Sequence, residues 1–288
     1  MTGTRISRTR IHFLRLQLNL IGIMVAAYGL TQPMEYILSD GLYRIPYADG
    51  TVVEVTNGYL QHNPEGMYDL RGVLGSTYQI VAAADGWIRW IEDDFTQECW
   101  CCWQSNNFVI IEHPNGEWTN YTHMETGTVT AQGLNVGDWV SAGTVLGTEG
   151  SVGCSTGPHL HFVVASEVDP AAPFDTIGGF LNGVTRIPLM CGTEFSYLED
   201  DESYIAEACM DDCPVALSVN QIVPALSISV KRADLIIETE FTTNPVFMNL
   251  EAGSAVVYRA GQSITLQPGF DALAGCSFRA VIRACNAY

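Results

Sequence analysis

From about Pro33 onward the chain breaks into short apolar runs, each bounded by Gly, Asn, Asp or Pro. The runs are Thr51–Val55, Gln79–Ala83, Trp87–Ile91, Phe108–Ile111, Trp118–Tyr121, Thr144–Leu146 and Leu160–Val164. Turn signals stand between them: Ala84-Asp85-Gly86, Pro114-Asn115-Gly116, Val136-Gly137-Asp138 and Ser141-Ala142-Gly143. Regular short strands with such punctuation specify an all-β fold, a sandwich or an open barrel, and no stretch keeps a long helical period. Asn115-Gly116 is the strongest hairpin signal, because an Asn-Gly pair tolerates the positive φ angles of a tight hairpin turn. An acidic piece, Glu199-Asp200-Asp201-Glu202, then leads to Cys209, Cys213 and Pro214. Beyond it Ala255–Tyr258, Ser263–Leu266 and Ser277–Ile282 alternate again, so a second, smaller β module is expected. The expected division is 1–29, 34–205, 206–218 as a Cys-containing linker, and 219–288 as the β module.

The first segment reads as a signal peptide. Arg5, Arg8 and Arg10 precede an apolar run densest from Leu18 to Leu30, with Ala27-Tyr28-Gly29 as small residues near a cleavage point. Arg15 interrupts the run, which makes it too short and broken for a membrane anchor, so no span is expected after its removal. Nine cysteines fit an oxidising compartment, hence a secreted, periplasmic or cell-surface protein held by disulfides. Cys276 with Cys285, flanking one hairpin, is the pair the sequence favours. The net charge of −19, with Lys231 as the single lysine, argues against a nucleic-acid partner, whose phosphates it would repel. Nothing in the pattern encodes an oligomeric state.

Chemistry concentrates in Gly153-Cys154-Ser155-Thr156-Gly157-Pro158-His159-Leu160-His161-Phe162. Residues i and i+2 of a strand share a face, so His159 and His161 project into one site. Neutral imidazole is a common metal ligand and general base. Two further histidines join the argument: His62, upstream of Asp69, and His123, which closes Asn120-Tyr121-Thr122-His123. His113, in Glu112-His113-Pro114-Asn115-Gly116, reads as an exposed turn residue, and Tyr121 as a core residue more readily than a substrate contact. His12 lies in the signal segment. Val136 to Leu146 has the look of a carrier-domain hairpin, yet the lysine such a domain needs is far away at Lys231.

Over roughly Tyr43 to Tyr204 the sequence resembles the M23 (lysostaphin/LytM-like) family of zinc metallopeptidases that cut peptidoglycan peptides. The resemblance rests on an upstream His…Asp pair, Val81-Ala82-Ala83-Ala84-Asp85-Gly86-Trp87-Ile88 and Tyr121-Thr122-His123-Met124. It continues through Val136-Gly137-Asp138-Trp139-Val140-Ser141-Ala142-Gly143, Leu146-Gly147 and Ser155-Thr156-Gly157-Pro158-His159-Leu160-His161-Phe162, all in order. It implies a LytM-like antiparallel β-sandwich or open barrel with a groove. It also implies one Zn²⁺ bound by His62, Asp69 and His161, with His123 and His159 as catalytic groups beside it. Two imidazoles, a carboxylate and an open position make a catalytic rather than a closed zinc site. Here His62 and Asp69 stand seven residues apart, whereas many family members have four; Asn63-Pro64-Glu65-Gly66 reads as a turn looped out between them. Asp69 is preferred to Glu65 as ligand because Tyr68-Asp69-Leu70 has strand character. The implied function is a secreted endopeptidase acting on peptidoglycan peptides. Its rivals are a non-catalytic binding or regulatory protein on the same fold, and a zinc protease of protein substrates. Cys99-Trp100-Cys101-Cys102-Trp103 reads as a groove wall or as a stapled surface loop.

Overall fold

A computed structural model describes residues 37–62, 66–99, 105–175, 178–193, 197–209, 216–219, 228–233, 236–239, 248–250, 255–266, 270–272 and 276–282. The expected signal segment, Glu65, Trp100 to Trp103, Cys213 and Cys285 lie outside them, and with them the expected Cys276–Cys285 pair. The chain order is β1 (Leu38–Tyr43), β2 (Val52–Asn57), β3 (Tyr68–Val73), β4 (Gln79–Val81), β5 (Gly86–Glu92), β6 (Glu98–Cys99) and β7 (Phe108–Glu112). Then follow β8 (Trp118–Thr122), β9 (Trp139–Val140), β10 (Val145–Thr148), β11 (Gly153–Cys154), β12 (Leu160–Ser166), β13 (Val184–Met190) and β14 (Ser203–Ile205). Among the described residues there is no α-helix, only a 3₁₀ turn at Thr130–Gln132. No helix among them is long and apolar enough to cross a membrane.

The main sheet runs β14-β2-β3-β12-β8-β7-β5-β9, with β13 on β12 and β1 parallel to β13. The path β14 to β9 is antiparallel throughout, as the turn-rich sequence predicts. The hairpin lies at Asn115-Gly116: β7 pairs with β8, Glu112 stands opposite Trp118, and Gly116 takes φ 84°. Strand alternation separates two faces. Tyr68, Leu70, Ile88, Val109, Ile111, Tyr121, Phe162 and Val164 point into the large core. Ile110, Phe108, Trp118 and Ala165 point the other way, under Phe174 and Leu181. At about 25 cal/mol per Å² of apolar surface, the many fully buried side chains of the first face dominate folding.

Past the disulfide Cys191–Cys209 the strands change character. They are β15 (Ala216–Val219), β16 (Ile228–Ala233), β17 (Ile236–Thr239), β18 (Met248–Leu250), β19 (Ala255–Ala260), β20 (Ser263–Thr265), β21 (Phe270–Ala272) and β22 (Ser277–Ile282). They pair in parallel as β15-β17-β20, β16-β19-β22 and β18-β21. Successive turns of chain stacked in parallel are the pattern of a short β-solenoid. The expected β module is there, built from stacked coils.

Candidate metal and catalytic site

β12 and β3 are neighbours in register, with His161 opposite Asp69 and Phe162 opposite Tyr68. Since Phe162 and Tyr68 face the core, Asp69 and His161 share the opposite face. On the other side of β12, His161 pairs with Thr122, so His123 leaves the end of β8 next to the same point. His62 comes from the β2–β3 connection, where its backbone N–H donates to the Gly58 carbonyl at 3.0 Å and the Gly66 N–H to Tyr59 at 2.8 Å. His62 and Gly66, both in the longer His62–Asp69 interval, are thus tied back to Gly58-Tyr59.

All five sequence-predicted residues come together. Asp69 Oδ1 is ringed by His161 Nδ1 at 2.9 Å, His62 Nε2 at 3.5 Å and His159 Nε2 at 3.7 Å. The His62 and His161 rings lie 4.7 Å apart, and so do those of His123 and His159. Burial alone would raise the Asp69 carboxyl. Hydrogen bonds with His161 and His62, together with the nearby imidazoles, overcome that and hold it well below the usual carboxylate range. Burial pushes His161 down despite its bond to Asp69. It takes His123 down to about 3, with His159 and His161 adding to the effect.

The residues fit a zinc ion. His62, Asp69 and His161 each offer one ligand atom, all within 4.8 Å of one another. Ligands 2.0–2.1 Å from a tetrahedral ion lie about 3.3 Å apart, close to the spacings around Asp69 Oδ1. The ring nitrogens turned away from Asp69, His62 Nδ1 and His161 Nε2, are buried with no hydrogen-bond partner, at a cost of about 1–3 kcal/mol each.

The two outer imidazoles are held differently. His123 adopts φ 64°, a conformation uncommon for a residue with a side chain. Its backbone N–H donates to Asn106 Oδ1 at 3.2 Å, and its Nδ1 meets the Val152 carbonyl at 2.8 Å. His159 Nδ1 meets the Gly157 carbonyl at 2.9 Å and Ser155 Oγ at 3.3 Å. In both rings a carbonyl fixes the proton on Nδ1 and leaves the Nε2 lone pair outward. Asp69 and His159 sit in the wall of an open groove of about 810 Å³ that continues past Arg71, Tyr78, Glu125 and Glu149.

Two expectations change or sharpen. His113 is not an exposed turn residue: it is 2% exposed, because Nδ1 donates to the Asp85 carbonyl and Nε2 accepts from Thr119 Oγ1, each at 2.8 Å. Tyr121 is core, fully buried, its oxygen accepting the Ala83 N–H at 2.8 Å. The rival ligand Glu65 lies outside the described residues. Asn106 and Val152, which position His123, carried no sequence signal.

Residues 67–173 match the family described as Peptidase family M23. This segment belongs to peptidase family M23. It contains Asp69, His123, His159 and His161, while His62 lies five residues before its start. The chain is 34% identical over 114 residues to Protease LasA of Pseudomonas aeruginosa, covering 37% of this chain and 23% of the relative. It is 42% identical over 67 residues to DD-carboxypeptidase/endopeptidase Mpg of Neisseria meningitidis serogroup B, covering 23% and 14%. The chain therefore spans less than a quarter of the length of these curated relatives. Among solved structures it is similar to the M23 metalloprotease pseudoalterin from the deep sea, with TM-score 0.31 and 25% identity, covering 44% of this chain and 72% of that one. The catalytic domain of the antimicrobial peptidase lysostaphin from Staphylococcus simulans gives TM-score 0.28 and 24% identity, covering 43% and 85%.

Proposed function

We propose that the protein is a secreted zinc metalloendopeptidase that hydrolyses peptide bonds of bacterial peptidoglycan, in stem peptides or cross-bridges. The observation that carries this reading is the ring of three imidazole nitrogens around Asp69 Oδ1 beside an open groove. In it His62, Asp69 and His161 would hold the ion, and a bound zinc there would supply polarisation of the scissile carbonyl and a more acidic water. His123 and His159, each with Nδ1 tied to a carbonyl, present Nε2 as the proton acceptor. As water adds to the carbonyl carbon, one imidazole takes its proton, and the imidazolium stabilises the oxyanion. When the C–N bond breaks, that proton goes to the leaving amine and the imidazole is neutral again. The groove accommodates an extended peptide, and its mostly polar lining suits a substrate without bulky apolar side chains. Removal of residues 1–29 as a signal peptide delivers the enzyme outside the cytoplasm, where Cys191–Cys209 persists.

Digestion of purified peptidoglycan beside casein, with zinc content measured on the same sample, tests this. About one zinc per chain with new amino groups released from peptidoglycan only is the expected result. Casein cleavage with intact peptidoglycan would move the substrate to protein, and a folded, zinc-free, inactive chain would make it a binding protein.

A further inference from the structure

The face of the sheet that carries Asp69 and His161 does not end at the groove. Following the ladders across from β12, Ala165 stands opposite Trp118, Trp118 opposite Glu112, Glu112 opposite Trp87, and Trp87 opposite Trp139 on the edge strand β9. One row nearer the site, Val163, Asn120, Ile110 and Trp90 stand in line. Each ladder keeps side chains on one face, so Trp87, Trp90 and Trp139 share the face of His161. Near β12 this face is covered by the stretch carrying Phe174 and Leu181, and Phe180 lies against His161 at 5.4 Å. Beyond that cover Trp87 is 37% and Trp139 46% exposed, which is unusual for the largest side chain.

These rings are fixed. Trp87 and Trp139 pack edge to face at 4.5 Å, Arg89 lies 5.7 Å from the Trp87 ring, and Arg89 Nε binds Glu112 Oε2 at 2.5 Å. Trp90 rests against Phe174 at 4.8 Å. The patch therefore alternates flat aromatic surface with a fork of donors and a carboxylate. A pyranose ring has the matching surface: one face of C–H groups, polarised toward the electron-rich indole, and a rim of hydroxyls for Arg89 and Glu112. A protein partner would call for a wider contiguous apolar patch. An anionic polymer is repelled by a chain of net charge −19, and the patch itself pairs its one cation, Arg89, with Glu112, whereas stacking on a neutral sugar needs no net charge. Four rises along the strand and three strand spacings place Trp87 roughly 20 Å from His161, within the span of a short oligosaccharide.

We infer that Trp87 and Trp139, with Arg89 and Glu112, form a carbohydrate-stacking platform. It holds the glycan strand of the substrate while the attached peptide lies at the His62–Asp69–His161 site. The inference rests on the peptidoglycan reading above and adds the part of the polymer that the groove does not touch.

Three probes separate the two ideas: purified sacculi, a soluble N-acetylglucosamine oligomer, and a short sugar-free peptide containing the cleaved bond. In Trp87→Ala/Trp139→Ala, co-sedimentation with sacculi weakens about ten- to thirtyfold while kcat/KM on the free peptide is unchanged. The oligomer competes with sacculi for the wild type, and added salt changes that binding little. Trp139→Tyr, which keeps an aromatic face, retains most of the binding. If the double variant misfolds, Trp139→Ala alone, on the two-residue edge strand, carries the same test. Unchanged sacculus binding in a folded alanine variant overturns the platform and leaves the peptidase standing. An equal loss on sacculi and free peptide also overturns it, because the tryptophans would then be structural. A shift from dimer to monomer with sacculus binding intact overturns it in favour of contact between copies. Glycan binding lost on substitution, in a wild type that cleaves no peptide, removes the peptidase and keeps the platform.

Discussion

At the residue scale the five polar side chains of the site divide by what holds them, and that division sets separate outcomes for their loss. His161 is buried, with one nitrogen on Asp69 and the other unpartnered, so His161→Ala leaves two protein ligands; zinc and activity should both vanish. His159 reaches Asp69 at 3.7 Å while its Nδ1 is anchored on Gly157, so His159→Ala should retain about one zinc per chain by elemental analysis and lose turnover by about two orders of magnitude or more. Full activity in either variant breaks the assignment. The histidine pair on one strand face was legible from i, i+2 spacing. His62 came only by resemblance, since it is placed by a backbone bond to Gly58 that no side-chain pattern announces. His113 was misread for a related reason: Glu-His-Pro-Asn-Gly is turn chemistry, but its partner Asp85 is 28 residues away. Burial takes His113 down to about 4 from 6.5. The unfolded chain therefore binds the extra proton first, so His113 contributes stability above pH 6.5 that is lost as pH falls through 4. The span amounts to about 3 kcal/mol. Buried Glu117 is raised and works in the opposite sense, so the measurement is a difference. Urea unfolding of wild type against His113→Gln should show a gap that narrows between pH 7 and pH 4; a constant gap would refute it.

Elements were legible wherever apolar runs met turn residues, and the predicted runs fall on β2, β4, β5, β7, β8, β10 and β12. β13 escaped because Pro188 reads as a strand breaker, and β14 because it follows the acidic turn Glu199–Glu202. Of the C-terminal strands β19, β20 and β22 were legible, but not β15 to β18 or β21, nor their parallel stacking. The signal was a repeat: Ala252-Gly253-Ser254 recurs as Ala274-Gly275-Cys276, 22 residues on, the offset by which Met248 pairs with Phe270. Two connections allow tests at this scale. Cys191, just after β13, is bonded to Cys209, just after β14, at a separation of 18 residues. The Cys191→Ser/Cys209→Ser pair should lower unfolding free energy by about 3 kcal/mol in denaturant titration, and an unchanged midpoint would show the bond to be incidental. Gly150 accepts the His159 N–H through its carbonyl, and a methyl group on it would meet the Glu125 nitrogen at 2.5 Å and the His123 oxygen at 2.8 Å. Gly150→Ala should therefore separate the loops bearing His123 and His159 and cost turnover roughly a hundredfold, while zinc stays bound. Wild-type kinetics in that variant would mean the loops yield without moving the imidazoles.

Across the whole molecule, residues 36–288 make up one compact unit by contact, yet among the described residues their hydrophobic clusters stay separate. The cluster of Val256, Tyr258 and Ala260, with Ile264, Phe270, Cys276 and Phe278 against it, shares no residue with the clusters of the main sheet. What joins the parts includes polar contact: Arg279 pairs with Asp40, and Arg259 reaches the Asp40 carbonyl. Ion pairs as exposed as Arg279–Asp40 contribute about 1 kcal/mol or less, so this pair by itself does not couple two cores into one cooperative transition. We propose a boundary near 205, between the main sheet and the parallel-stacked strands, as two separately melting parts. Since the proposed zinc ligands His62, Asp69 and His161 all lie before it, the metal should stabilise one part only. Calorimetry of the full chain should resolve two transitions. Chelation should lower one by roughly 10 °C, the equivalent of binding at a few hundred times Kd, and leave the other in place. Asp40→Ala should move neither midpoint by more than about 5 °C. A single transition that shifts as a whole on chelation would show the solenoid and the peptidase sheet to be one folding unit, and would make the solenoid part of what holds the site rather than an appendage to it.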